Sequence, residues 1–139
     1  MTIRRVHHLN FLVRDLDAAV ARYARALGLQ AELRDELPGR GVRTARFRVG
    51  ETWIVLVQPT ADGEPMHYLE THGEGFFLVS YEVDDLEAAV AQARAAGLLT
   101  TSPAPRTGLD GWRVIDLEAG DMGGVVVQLL QDPGRSTEP

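Results

Sequence analysis

Two side chains of this sequence, His8 and Glu82, could move protons in a reaction. The unperturbed pKa of a histidine is about 6.5, so His8 could act as a general base or as a hydrogen-bond donor near neutral pH. A satisfied histidine without a catalytic role is the simpler alternative for that residue. Glu82 could serve as a base inside a cavity, but we expect a solvated residue at the end of a strand. The chemistry that these residue types could perform is general acid–base catalysis.

Several other classes of site are excluded by composition. The chain contains no cysteine, so thiol nucleophiles, disulfides and cysteine-bound zinc are absent. No phosphate-binding loop or dinucleotide fingerprint occurs, and Ser80 and Ser102 lack the context of a nucleophile elbow. With 14 basic and 20 acidic residues the net charge is −6, and the arginines are scattered. This is not the charge pattern of a nucleic-acid-binding protein.

Aromatic and basic side chains could bind an organic ligand. Trp53 could stack on a planar molecule or belong to the core, and both alternatives stay open. Arg46 and Arg48 alternate on one face with Thr44. We expect them to face solvent on an edge strand, with binding of an anionic group as the alternative. Trp112 is expected at the rim of a cavity, and His7 at a rim or against a helix.

An internal repeat supplies the elements that must position these residues. Residues 13–21 (VRDLDAAVA) match residues 83–91 (VDDLEAAVA) at seven of nine positions, 70 residues apart. Both segments have the apolar spacing of an amphipathic helix. Asp15 and Asp85 stand where a side chain caps a helix N-terminus. Gly28 and Gly97 stand where the helices would end.

Strands are predicted before and after each helix. The alternation in residues 5–13 and 76–83 divides each strand into two faces. The more apolar faces should pack on the helices; they hold His7, Leu9, Phe11 and Val13 in the first copy and Phe77, Val79, Tyr81 and Val83 in the second. The other faces, with His8, Asn10, Ser80 and Glu82, suit a wet cavity. Further strands are predicted at 30–37, 43–49, 52–58, 112–117 and 125–131, and the segment 103–111 is predicted as a loop.

These motifs resemble a known superfamily. The segment HLNFLVRDL from residue 8 resembles the H-I-G-I-A-V-x-D-L pattern of methylmalonyl-CoA epimerases. Residues 73–85, GEGFFLVSYEVDD, resemble their G-E-G-L-H-H-I-A-x-E-V-D-D pattern, and residues 124–131 resemble their closing strand. The chain therefore resembles the vicinal oxygen chelate superfamily, which includes glyoxalases, bleomycin-resistance proteins and extradiol dioxygenases. Its pattern is closest to that of the epimerases.

The resemblance implies an α+β fold with two βαβββ modules, whose curled mixed sheets surround a shared cavity. We expect one domain over residues 1–139. Module one covers about 4–59, a loop-rich linker covers 60–72, module two covers about 74–131, and a polar tail covers 132–139. The resemblance also implies a homodimer. No signal peptide or membrane-spanning run is found, so a cytoplasmic protein without membrane or nucleic-acid partners is expected.

The resemblance places the four ligands of a divalent metal ion at His8, Val55, Leu78 and Gln128. Only His8 is an ordinary ligand, and Gln128 keeps one neutral carbonyl oxygen. Val55 and Leu78 have no donor atom, whereas a divalent ion needs several. We therefore predict neither a metal nor another cofactor. A shifted metal site that uses Glu82 is the alternative.

Two functions follow from this altered cavity. The first is metal-independent binding of a small, largely apolar or aromatic organic molecule, as in drug-sequestering resistance proteins. The alternative is a metal-free isomerase, lyase or cyclase acting on a carbonyl compound, with His8 or Glu82 as the acid or base and Gln128 bonded to the oxyanion. Whether the protein is an enzyme stays open at this point. The predicted catalytic residues are His8, Glu82 and Gln128. The predicted ligand-binding residues are Asn10, Trp53, Val55, Leu78, Ser80 and Val126, and Val6 is also expected to line the cavity.

Overall fold

The computed structural model describes residues 2–136. The chain divides into two compact units. The first unit contains residues 8–77. The second unit contains the residues up to 7 and those from 78 onward. The last part of the predicted tail, residues 137–139, lies outside the described residues.

The described residues form eight strands and four α-helices. In chain order these are β1 (Ile3–Leu12), α1 (Leu16–Leu27), β2 (Leu33–Leu37), β3 (Val42–Val49), β4 (Thr52–Pro59), α2 (Glu64–His72), β5 (Gly75–Val83), α3 (Leu86–Ala95), β6 (Arg106–Thr107), β7 (Arg113–Asp116), β8 (Val126–Gln131) and α4 (Pro133–Ser136). None of the described helices is both long enough and apolar enough to cross a membrane.

The strand order repeats itself. In one set of four strands the hydrogen-bonded order is β2-β3-β4-β1, and in the other it is β6-β7-β8-β5. In each set the first and last strands of the module, β1 with β4 and β5 with β8, pair in parallel. The remaining pairs are antiparallel. The prediction of an α+β fold built from two βαβββ modules with mixed sheets is confirmed.

Helices α1 and α3 begin as the sequence predicts. The Asp15 carboxylate accepts a hydrogen bond from the Ala18 N–H, and the Asp85 carboxylate accepts one from the Ala88 N–H, both at 3.1 Å. Each cap satisfies an N–H that has no partner within the helix. Gly28 ends α1 in the left-handed region, with φ of 68°.

Each helix packs on the apolar face of its own sheet, as predicted. The core of the first unit contains Val13, Leu16, Ala19, Ala45, Phe47 and Leu56, with Phe11 packed against it. The core of the second unit contains Val83, Leu86, Ala89, Val90, Ala93, Ile115, Leu117, Val127 and Leu129, with Val79 and Tyr81 packed against it. The opposite face of each set of four strands therefore carries the residues that alternate with these. The predicted site residues lie on those faces.

Three segments differ from the prediction. The predicted loop-rich linker contains α2. Pro65 is tolerated in the first turn of this helix, because an N–H group there would have no partner within the helix. The predicted loop at 103–111 contains β6 and a 3₁₀ turn at Leu109–Gly111. The predicted tail begins with Asp132, a partly buried residue, followed by the short helix α4.

Candidate functional site

In the first unit, the sheet face opposite α1 brings four predicted site residues together. The strand registers arrange this face in three rows. The rows are His8–Trp53–Arg48, Asn10–Val55–Arg46 and Leu12–Val57–Thr44–Asp35. The parallel pairing of β1 with β4 places His8 beside Trp53 and Asn10 beside Val55, as the shared face predicts.

The expectation that Arg46 faces solvent is wrong. Arg46 is 1% exposed, although Arg48 is exposed. The reason is that β3 is not an edge strand, because β2 pairs along its other side. From β2, the carboxylate of Asp35 forms an ion pair with the Arg46 guanidinium at 3.5 Å. The two guanidinium carbons lie 5.0 Å (Arg46) and 4.1 Å (Arg48) from the Trp53 ring centroid, so Trp53 contributes cation–π contacts.

Polar atoms on this face that are buried without a hydrogen-bond partner among residues 2–136 include Asn10 Oδ1 and Thr44 Oγ1. Asp35 Oδ2 also lacks a hydrogen bond there, and its contact with Arg46 is the 3.5 Å ion pair. Buried polar atoms almost always have a partner in native proteins, and an unsatisfied one costs about 1–3 kcal/mol. This face therefore has the polar character of a ligand-binding surface.

In the second unit, the corresponding face holds the predicted residues of β5 and β8. Leu78 lies opposite Val126, and Ser80 lies opposite Gln128. The Gln128 amide donates a hydrogen bond from Nε2 to Asp116 Oδ1 at 3.1 Å. Gln128 Oε1 and Ser80 Oγ are buried without a partner in the described chain. Gln128 thus presents an acceptor, which is the wrong polarity for the predicted bond to an oxyanion, whereas the Ser80 hydroxyl can donate.

The expectation that Glu82 is solvated is also wrong. Its side chain is 1% exposed, and one of its oxygens lies 2.6 Å from Nε of Arg5. The alternation along β1 does not reveal this contact, because 77 residues separate the two partners in the chain. The Arg5 guanidinium therefore occupies this carboxylate. The geometry disfavours Glu82 as the proton-transferring base, because that oxygen is already engaged in a close ion pair.

His7 lies at the centre of a cluster that sequence reasoning missed. It is fully buried, and its Nε2 is 3.0 Å from a carboxylate oxygen of Asp132. Trp112, predicted at a rim, is buried edge-on to the His7 ring, with centroids 4.4 Å apart. Burial lowers the pKa of His7 below 6.5, while the hydrogen bond to Asp132 opposes that shift. The only sequence signal was the position of Asp132 directly after a closing strand.

The His7 cluster has the donor types of a metal site. Ligand atoms of His7, Glu82 and Asp132 lie within 4.8 Å of one another. Arg5, however, lies 2.6 Å from Glu82 and 4.0 Å from Asp132, and its single positive charge already compensates one of the two carboxylates. A buried network of ion pairs and hydrogen bonds therefore explains the cluster.

The residues at the metal positions of the superfamily do not fit a metal ion. Val55 in the first unit and Leu78 in the second are buried hydrocarbon side chains. His8 has a ligand atom, and Gln128 contributes a single neutral oxygen. Two donors of this kind do not meet the requirement of a zinc ion or of a harder divalent ion.

The comparison with known proteins now decides the family. A family model described as Glyoxalase/Bleomycin resistance protein/Dioxygenase superfamily matches residues 7–115. The chain belongs to this superfamily. The match includes all of the first unit and most of the strands of the second.

Members of the glyoxalase/bleomycin resistance/dioxygenase superfamily that resemble this chain include epimerases. An ethylmalonyl-CoA/methylmalonyl-CoA epimerase from Cereibacter sphaeroides is 33% identical over 132 residues, which cover 93% of this chain and 98% of that protein. The human mitochondrial methylmalonyl-CoA epimerase is 32% identical, over 91% of this chain and 73% of its own length. A variant of the Streptomyces coelicolor methylmalonyl-CoA epimerase, solved with 2-nitronate-propionyl-CoA, superposes with a TM-score of 0.90 at 27% identity, over 95% of this chain and 96% of that one.

Proposed function

We propose that the protein is an isomerase that moves a proton at the carbon next to the carbonyl group of an acyl-coenzyme A thioester. The observation that carries this proposal is the similarity to epimerases over nearly the full length of both chains. These comparisons support the isomerase alternative better than the drug-sequestering function that was our first hypothesis. A homodimer, which the superfamily resemblance implies, is part of the proposal.

The proposed reaction removes the proton from the α-carbon and leaves the electron pair in an enolate. Delivery of a proton from water to the opposite side of that carbon inverts its configuration, and the protonated base then returns its proton to solvent. We assign the acid/base role to His8, because Glu82 is held by Arg5 and because an imidazole can exchange protons near neutral pH. No step is assigned to a metal, because Val55 and Leu78 offer no donor atom.

Proton exchange in D₂O tests this function directly. Methylmalonyl-CoA and ethylmalonyl-CoA are incubated with the protein in D₂O and excess EDTA, and the loss of the α-proton signal is followed by NMR against a blank without protein. We expect exchange well above the blank, and a loss of about 100-fold or more in His8→Gln, the size of a general-base contribution. The matched control is His67→Gln, which changes an exposed histidine of α2. It should keep the rate.

Binding without turnover is the second candidate, and the buried hydrocarbon of Val55 and Leu78 favours it. It predicts stoichiometric capture of a ligand that is recovered with its α-proton in place. Exchange no faster than the blank, with a folded protein that binds the thioester, would support this candidate and overturn the isomerase.

A further inference from the structure

We propose that Arg46 is the cation that binds a planar oxyanion of the substrate in place of a metal ion. The inference rests on the proposed function for its substrate class, an acyl thioester that carries or develops negative charge beside its carbonyl group. The groups that fit this description share a planar, negatively charged oxygen. A carboxylate or a nitronate presents two such oxygens, and an enolate presents one.

The first argument is position. In the β3–β4 register, Arg46 lies directly opposite Val55, and Asn10 lies on the other side of Val55 in the same row. Directly opposed residues of antiparallel strands have Cβ atoms about 4.5–5.5 Å apart. The positively charged Arg46 therefore lies beside Val55. The resemblance implies a metal ligand at that position, but this chain has a hydrocarbon side chain there.

The second argument is burial. The Arg46 side chain is 1% exposed, and removal of a charge from water is costly unless it is compensated. Asp35 holds the guanidinium in an ion pair at 3.5 Å. The Trp53 ring lies 5.0 Å from the guanidinium carbon. These contacts orient a planar fork of N–H donors, the geometry that binds two-oxygen anions.

The third argument is the buried hydroxyl of Thr44. Thr44 precedes Arg46 by two residues on the same face, is 3% exposed, and its Oγ1 has no hydrogen-bond partner in the described part of the chain. An oxyanion bound to Arg46 would accept a further hydrogen bond from this hydroxyl. Such a ligand would therefore supply the partner that a buried polar atom ordinarily has.

The test compares two ligands that differ in the oxyanion. Binding of 2-nitronate-propionyl-CoA and of propionyl-CoA is measured by titration calorimetry in excess EDTA. We expect the nitronate to bind at least about tenfold more tightly, as a charge-assisted bond predicts. In Arg46→Gln the preference should fall to within about threefold, and Arg46→Lys, which keeps the charge without the fork, should retain part of it.

Arg43→Gln is the matched control, because Arg43 lies on the same strand but on the opposite face, beside Glu36. It should keep the full preference.

An unchanged preference in Arg46→Gln, or no preference in the parent protein, overturns the proposal. If Arg46→Gln has no thermal unfolding transition, Arg46→Lys decides, and an unreduced preference there also overturns it. If the protein exchanges the α-proton but shows no Arg46-dependent preference for the nitronate, only this inference is refuted. If the preference depends on Arg46 but no exchange occurs, only the isomerase is refuted.

Discussion

At the scale of the residue, His7 shows how burial disfavours a charged side chain. The imidazole is fully buried beside Trp112, and desolvation is the main reason that its pKa lies below 6.5. Asp132 favours the charged form but does not overcome this effect. The neutral imidazole is therefore part of the folded state, whereas the unfolded chain binds a proton near pH 6.5.

This difference predicts acid destabilisation. As the pH falls below 6.5 the unfolded state takes up a proton that folded His7 resists, so the free energy of unfolding decreases. Stability from this source is fully present above pH 6.5. It falls by at most about 1.4 kcal/mol per pH unit between 6.5 and the lowered pKa of folded His7.

Urea unfolding of the parent protein and of His7→Gln between pH 8 and pH 5 measures this contribution. We expect a shallower loss of stability on acidification in His7→Gln, because that variant has no group to titrate there. His67→Gln, which changes an exposed histidine, should follow the parent. Identical pH slopes for His7→Gln and the parent would contradict the assigned cause.

At the scale of the element, the helices α1 and α3 begin with the same kind of hydrogen bond to a glutamine side chain. Gln58, near the end of β4, accepts a hydrogen bond from the Leu16 N–H at 2.8 Å. Gln131, at the end of β8, accepts one from the Leu86 N–H at 2.9 Å. Each helix N-terminus is thus anchored to the closing strand of its own module as well as capped by an aspartate. The repeat seen in the sequence therefore extends to the tertiary contacts of the helices.

Replacement of one such glutamine should be costly. Gln131→Met keeps the side-chain length but leaves the N–H of Leu86, a 0% exposed residue, without this acceptor. We expect a loss of about 1–2 kcal/mol in the free energy of unfolding, measured by urea titration. Gln92→Met is the control, because Gln92 is exposed on α3, and it should change stability by less than about 0.5 kcal/mol. Equal effects of the two substitutions would show that the contact contributes nothing.

At the scale of the whole molecule, the combination of an epimerase-like fold with two hydrocarbon ligand positions predicts metal independence. Protein purified without chelator should contain less than about a tenth of an equivalent of any transition metal, because tight binding needs three or four donors. EDTA should not shift the thermal midpoint, and added cobalt, nickel or manganese should not raise it.

Elemental mass spectrometry with a paired thermal unfolding series checks this prediction. Close to one equivalent of metal per chain would contradict it and would show that the ligands are not limited to His8 and Gln128. In that case His7→Gln distinguishes the two locations. It should release an ion bound by the His7–Glu82–Asp132 cluster and leave an ion at His8 in place.

Local sequence patterns predict the repeated βαβββ modules, the helix caps at Asp15 and Asp85, and the strand face that His8 and Asn10 share. These features depend on residues close together in the chain, on the 3.6-residue and two-residue periods of helix and strand, and on short capping contacts. The family could be predicted for the same reason, because its motifs are local.

Which charged residues are buried could be known only from the folded chain. Arg46 meets Asp35 because β2 pairs beside β3. Glu82 meets Arg5 from 77 residues away, and His7 meets Asp132 from 125 residues away. Periodicity assigns a residue to a face of a strand, but it carries no information about which distant segment covers that face. The burial of a charge is set by such a segment, which removes water and supplies the opposite charge, and so the electrostatics of the site required the folded chain.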